Sequence, residues 1–250
     1  MNARRQYHDD LRPARGILTA IIISLMLWAL VLWAIPAAFA DGPTWLPMLD
    51  HWRAEVLVGR SHLPQGGDDL WYQSELPHTI SQTSTAWQTG VSARLRAFDG
   101  EPYAIGLRVA LVDLGRAHVD ALWVSDAQWT AHDFDEPLWH GVSNWHAYGV
   151  SVGPLAEAKA GPITLGFEAG AFAYRAGGSV DYTDPSGAPG VYDVPMNEIH
   201  WTPYYGLTAR WKWLFAAVRE YRKIHAQSGG QLGFFNGPAH TMLVGLSVPF

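Results

Sequence analysis

The 250-residue chain is 48% apolar, 13% aromatic and only 16% charged, with a formal net charge of −6. Soluble domains are about a quarter charged, so part of this surface is expected to meet something other than water. The acidic balance and the lack of a Lys/Arg block exclude a nucleic-acid partner, and 0 cysteines exclude disulfides, thiolate metal sites and a Cys nucleophile.

The chain begins as an export signal. Arg4, Arg5, Arg12 and Arg15 precede an uncharged apolar run over 17–40, the pattern of a positive segment followed by a membrane-inserting one. Pro36 breaks the run, and Ala38 and Ala40 set the small-x-small pattern that a signal peptidase accepts, so residues 1–40 are expected to be removed and 41–250 to be the mature domain. The run is also long enough to span a bilayer, which makes an uncleaved signal anchor on a periplasmic β-domain the alternative. Both readings export the rest of the chain.

From Trp52 onward the hydrophobic pattern has period 2, in blocks of about ten residues, the length of a tilted transmembrane strand. The first block sets Trp52, Ala54, Val56 and Val58 against Arg53, Glu55 and Gly59, with Leu57 an exception among the polar positions. The second alternates Trp87, Val91, Ala93, Leu95 and Ala97 with Gln88, Gly90, Ser92, Arg94 and Arg96. The third opposes Tyr103, Ile105, Leu107, Val109 and Leu111 to Gly106, Arg108 and Ala110. A weaker fourth block over 144–152 carries Tyr148, Val150 and Val152 on its apolar face, and a clean fifth opposes Ile163, Leu165 and Phe167 to Thr164, Gly166 and Glu168. The sixth places Trp201, Tyr205, Leu207 and Ala209 opposite Thr202, Tyr204, Gly206, Thr208 and Arg210; the seventh, 214–221, sets Leu214, Ala216 and Val218 against Ala217 and Arg219. The eighth, 240–250, aligns Met242, Val244, Leu246, Val248 and Phe250 on one face, with Leu243 an exception on the other. One face suits lipid and the other a polar lumen.

Connections between these blocks alternate in length. Short ones lie at 99–102, 153–162 and 211–213; the others run to about 23, 30, 26 and 17 residues, as expected of a barrel with short periplasmic turns and long outer loops. An all-β, eight-stranded antiparallel transmembrane barrel preceded by a hydrophobic signal helix follows. On this architecture and its ending, Leu243-Val244-Gly245-Leu246-Ser247-Val248-Pro249-Phe250, the chain resembles the small outer-membrane barrels, the group of the outer membrane protein A barrel and the OmpX and Ail/Lom-like surface proteins. The resemblance implies a bacterial outer-membrane location, a monomer among lipids and lipopolysaccharide, and recognition of the terminal Phe250 by the barrel-assembly machinery. Pro249 departs from the pattern because it cannot donate a ladder hydrogen bond, which a strand end tolerates.

An eight-stranded barrel has interior room for side chains only. Arg53, Arg94, Arg96, Arg108, Arg210 and Arg219 with Glu55 and Glu168 are therefore expected to fill the lumen as a polar network, with Gln88, tyrosines, waters or loop acids making up the shortage of carboxylates. A narrow arginine-lined pore is the alternative. Trp52, Trp87, Tyr103, Tyr148, Trp201, Tyr205, Trp211 and Trp213 sit near strand ends, as membrane-interface aromatics should. Asp113, Asp120, Asp126, Asp133, Asp135 and Glu136 make the second long loop acidic, Asp181, Asp184, Asp193 and Glu198 the third, and Asp68, Asp69 and Glu75 the first. This rim is expected to be solvated, or bridged by divalent cations to lipopolysaccharide phosphates; no calcium-loop spacing occurs, and neither metal ligands nor a cofactor are assigned.

The function expected is a non-enzymatic surface, adhesion or envelope-structural role, with an extracellular ligand at the loops. The enzymatic alternative is a lipid A deacylase, a barrel family with a Ser/His/Glu arrangement near the outer rim. His225 and Ser228, expected just after the seventh strand, invite that comparison, but the family's motif places His and Ser two apart with Asn following, whereas here the gap is three and Gly229 follows.

Overall fold

A computed structural model of the chain describes residues 49–63, 76, 78–100, 102–123, 139–228 and 232–250. The signal sequence expected over 1–40, with Ala38 and Ala40, lies outside them, as do the loop acids Asp68, Asp69, Glu75, Asp126, Asp133, Asp135 and Glu136. Within the unit Met48–Phe250 the described residues form ten strands: β1 (Leu49–His62), β2 (His78–Ser81), β3 (Thr83–Gly100), β4 (Tyr103–Trp123), β5 (Trp139–Ala160), β6 (Ile163–Thr183), β7 (Pro189–Val194), β8 (His200–Trp211), β9 (Leu214–Ser228) and β10 (Leu232–Pro249). Eight of them form a closed antiparallel ring, β1-β3-β4-β5-β6-β8-β9-β10, in which β10 returns to pair with β1 from Arg53↔Pro249 to His62↔His240. Closure is what hydrocarbon demands, because an open edge would leave backbone groups with neither water nor a partner.

Every predicted block falls on one of the eight ring strands, the eighth running one residue past β10 to Phe250. Side-chain exposure then follows the pleat. Val56 and Val58 on β1, Ile105, Leu107, Val109 and Leu111 on β4, Leu165 and Phe167 on β6, Leu207 on β8, Val218 on β9 and Met242, Val244 and Leu246 on β10 are all exposed. Such a continuous apolar girth is far larger than a soluble monomer shows, and lipid is the solvent that suits it. Leu57 and Leu243, the two apolar exceptions on polar faces, are buried inside.

Three corrections concern strand ends. The fourth connection is not 153–162: β5 continues to Ala160, and only Gly161 and Pro162 form the turn to β6. The Ala-Glu-Ala-Lys run and Pro154 disguised this stretch as a loop. Pro154 is accommodated because it stays in register with Leu107 on β4 while the ladder to β6 skips from Val152↔Ala171 to Leu155↔Glu168. On the opposite end, β4, β5 and β6 have 21, 22 and 21 residues, about twice a membrane span, so much of what the sequence offers as outer loop is strand. The short strands β2 and β7 flank this extension, pairing with β4 over 118–121 and with β6 over 178–183.

The three turns at the other end are tight. Gly161 takes φ 60 and Lys212 φ 55 at the first position of two-residue loops, the positive φ that matches a hairpin's twist. At the ring's seam Phe250 continues the ladder past Pro249, its backbone N donating to the Trp52 carbonyl at 3.1 Å.

Leu207 is 65% exposed in the middle of β8. Leu207→Arg is expected to destabilise the barrel by about 2–4 kcal/mol in lipid vesicles, read as a lower urea midpoint of the heat-modifiable form. An unchanged midpoint would place this face in water instead.

Candidate functional site

The lumen is layered, and β1 shows the order. Its inward positions run Arg53, Glu55, Leu57, Gly59 and Ser61 and end at Leu63, passing from the turn end toward the loop end. The second layer holds the central ion network. Arg108, 1% exposed, reaches Glu55 through Nε at 2.9 Å and Nη2 at 3.2 Å, and its Nη1 donates to Glu168. Arg219 donates to the other oxygen of Glu168 and to Gln88 Oε1, and Ser92 Oγ donates to Glu55 Oε1 at 2.8 Å. Glu168 is thus a carboxylate bridged between two guanidiniums. Phe215, absent from the expected inner face, lies under the Arg108 guanidinium at 4.8 Å, a cation–π contact of the kind favoured by arginine.

Space for these long side chains comes from glycine. A Cβ on Gly206 would fall 2.7 Å from Arg219 Cγ, and one on Gly170 would fall 2.9 Å from the Tyr204 ring. Large and vanishing side chains therefore alternate around a lumen that holds nothing wider than a side chain.

Nearer the turns, Glu157 is the centre of a second group. Its Oε2 accepts from Arg94 at 2.9 Å and its Oε1 from Arg210 at 2.9 Å, with Arg53 alongside. Glu157 was not among the expected lumen residues, since it falls in the stretch read as a loop. The inward alternation Leu155, Glu157 was the signal that could have found it. Arg96 is the opposite case. It is exposed outside the lumen and pairs with Asp50 at 3.5 Å.

Toward the loop end the expectation of an arginine-filled lumen fails. That half is packed by Leu63, Leu114, Trp145, Phe172, Tyr174, Tyr204, Tyr221 and Ile224, all buried. Phe172 and Tyr221 rings meet at 4.7 Å, and Tyr204 and Tyr221 stack at 5.7 Å. Trp145 is part of this aromatic plug because β5 already starts at Trp139. Among the described residues these layers leave no continuous polar path.

The eight aromatics expected at the interfaces fall into two groups. Tyr103, Trp211 and Trp213 are exposed beside the tight turns and Trp52 is half-buried there, while Trp87, Tyr148, Trp201 and Tyr205 are exposed toward the loop end. Trp201 and Trp211 both lie on β8. Their separation of about ten residues spans about 33 Å of strand, or about 25 Å along the axis at a tilt of ~40°, which is the height of an apolar band.

From the level of the loop-side aromatics outward, where Asp113 is the register partner of Trp87 and Tyr148, β4 and β5 carry polar cross-strand pairs. His146 Nε2 meets Asp113 at 2.9 Å, His140 Nε2 meets Asp120 at 2.8 Å, and His118 Nδ1 meets Asn144 at 3.2 Å. Asp113 and Asp120 are therefore strand rather than loop residues, Asp120 still solvent-exposed, and each faces a histidine across the ladder, a pairing that needs the register to be seen. At the β6–β7 hairpin tip, Asp184 Oδ1 accepts from Ser186 N at 2.9 Å, Ser186 Oγ at 2.6 Å and Ala188 N at 2.8 Å. These donors favour the charged form and hold the carboxyl below the ordinary aspartate range.

His225 lies inside β9 rather than in a following loop. Its backbone N donates to Tyr174 Oη at 2.9 Å, and its ring meets His200 edge-on at 5.8 Å. Ser228 ends the same strand.

No family model and no curated protein matches the chain. Among solved structures the barrel is similar to Ail, the attachment invasion locus protein of Yersinia pestis, crystallised in complex with the heparin analogue sucrose octasulfate: 10% identity, TM-score 0.38, covering 80% of this chain and 99% of that one. A second structure of Ail has 10% identity and TM-score 0.36 over the same 80% and 99%. The assignment of a transmembrane β-barrel rests on the ring and its exposure pattern.

Glu168→Gln leaves Arg108 and Arg219 buried around a neutral amide, and the expected cost is about 3–5 kcal/mol in urea titrations of the refolded barrel. Glu168→Gln at wild-type stability would make the network dispensable. At the hairpin tip the sign runs the other way from a histidine: Asp184, with its folded pKa depressed, contributes order above the ordinary aspartate value, and that contribution is lost as pH falls through the folded one. NMR titration should show the Ser186 and Ala188 amides shifting below the ordinary value. A midpoint at or above it contradicts the cap.

Proposed function

We propose that this protein is a non-enzymatic barrel of the bacterial outer membrane, exported by its N-terminal segment, with the tight turns in the periplasm and the β4–β6 extension outside the cell. The supporting observation is that extension: three ring strands continue far past the loop-side aromatics and keep their cross-strand pairing through His146–Asp113 and His140–Asp120. A protein that only needed to fill a membrane would end its strands at the headgroups. Strands that carry polar pairs beyond them build a stiff platform for contact with an extracellular ligand, in an adhesion or envelope role. The aromatics Trp52, Tyr103, Trp211 and Trp213 on one side and Trp87, Tyr148, Trp201 and Tyr205 on the other serve as the two interface girdles. Phe250, exposed at the seam, serves as the signal for the assembly machinery.

Fractionation with a heat-shift gel tests the location. The expected result is an outer-membrane protein lacking residues 1–40 whose mobility changes on boiling, and whose assembled fraction falls when Phe250 is deleted. A heat-insensitive protein that retains Met1 in the inner membrane overturns the proposal. Lipid A mass spectra test the role: unchanged acyl number is expected, and loss of an acyl chain that Ser228→Ala abolishes would make the protein a deacylase.

A further inference from the structure

We propose that the lipid face of β8, β9 and β10 carries a binding site for one anionic phospholipid of the turn-side leaflet. The site begins as a notch in an otherwise bulky surface. Ala209 on β8 and Ala216 on β9 are register partners, and both point outward, half-buried between larger neighbours. On the turn side of this pair stand Trp211 and Leu214, and on the loop side Leu207 and Val218, all four exposed. Along the same row the pair is flanked by Leu165 on β6 and Val244 on β10. Two short side chains ringed by long ones leave a groove of about 600 Å³, floored by Ala209 and Ala216 and walled by Trp211, Leu214, Val244 and Leu246. An apolar notch left empty would forfeit the dispersion contacts of its lining, and a flexible acyl chain can restore them.

A positive charge stands where the headgroup of that chain belongs. Lys212 follows Trp211 at the first position of the β8–β9 turn, between the exposed Trp211 and Trp213, and rings of this kind sit at headgroup level. It takes φ 55, a conformation that hairpin turns more often give to Gly, Asn or Asp. Its ammonium lies 5.4 Å from the centre of the Trp211 ring and forms no ion pair among the described residues.

The nearby carboxylates are placed elsewhere. Glu157 is inside the lumen, taken by Arg94 and Arg210. Ser247 N donates to the Trp213 carbonyl at 2.8 Å, so the carboxylate of Phe250 falls about 10 Å further along β10. The β3–β4 turn is halfway round the ring. From Trp211 to Ala209 the strand descends about 7 Å. A phosphate at Lys212 therefore lays the first part of its acyl chain over the alanine floor, which joins charge and groove in one ligand. The site rests on the membrane-facing exposure of these strands and on the turn-side girdle proposed above, but not on which compartment the turns face.

Native mass spectrometry tests this, on the folded protein purified from membranes into maltoside micelles that contain equal amounts of phosphatidylglycerol and phosphatidylcholine. One phosphatidylglycerol per barrel is expected to be retained, preferred over phosphatidylcholine roughly fivefold, the factor that one surface lysine gives on an anionic membrane. Lys212→Gln is expected to bring the two lipids to parity. Ala216→Leu, which fills the floor, is expected to cut retention of both roughly tenfold through the lost apolar contact. The heat-shift gel shows that each variant is folded, and Ala209→Leu takes the place of Ala216→Leu should the latter fail to assemble. Equal retention of the two lipids by the wild type overturns the proposal, as does wild-type retention in either folded variant. A lipid-free dimer overturns it too, because a second barrel would then occupy the groove. A heat-modifiable protein that fails this test loses the lipid site alone, whereas a protein with no heat shift loses the barrel.

Discussion

The pairing of β10 with β1 is the interaction on which the rest of this structure depends. In hydrocarbon no backbone N–H or C=O can be left to water, so the strands must close on themselves, and eight strands close around a space no wider than a few side chains. The long polar residues that alternate inward have nowhere else to go. They are forced into mutual contact, and burial of their charges is tolerable only because the contacts are ion pairs: Glu168 between Arg108 and Arg219, Glu55 on Arg108, Glu157 between Arg94 and Arg210. Closure, lumen composition and glycine placement are one constraint expressed three times.

That constraint also sorts the interior along its axis. Charge is concentrated in the central and turn-side layers, whereas the loop-side half is aromatic and aliphatic. The plug carries no charge to be balanced, so it can seal the barrel by packing alone. The extension of β4, β5 and β6 continues past this sealed half.

Much of the candidate site was legible. Arg53, Arg94, Arg108, Arg210, Arg219, Glu55 and Glu168 all point inward, because period 2 in a ring admits two faces and lipid takes the apolar one. Arg96 was misassigned by the same rule: it obeys the alternation but falls in the irregular stretch of the β3–β4 ladder, whose register shifts between Arg94 and Asp99. Glu157 was missed because proline and an alanine-rich run outweighed the alternation around it. Trp145 and Phe215 were missed because an apolar residue on an inward face looks like noise until the barrel shows how large a plug it needs.

What the sequence determined by itself was the membrane strand set, eight blocks and their apolar faces, since alternation is a local property and lipid imposes it on each strand separately. What only the tertiary structure decided was everything that depends on register. Which arginine meets which glutamate, which aspartate faces which histidine, and how far β4 to β6 run past the membrane are set by pairings between residues distant in the chain. A period-2 pattern says which face a side chain is on, but not which neighbour it finds there.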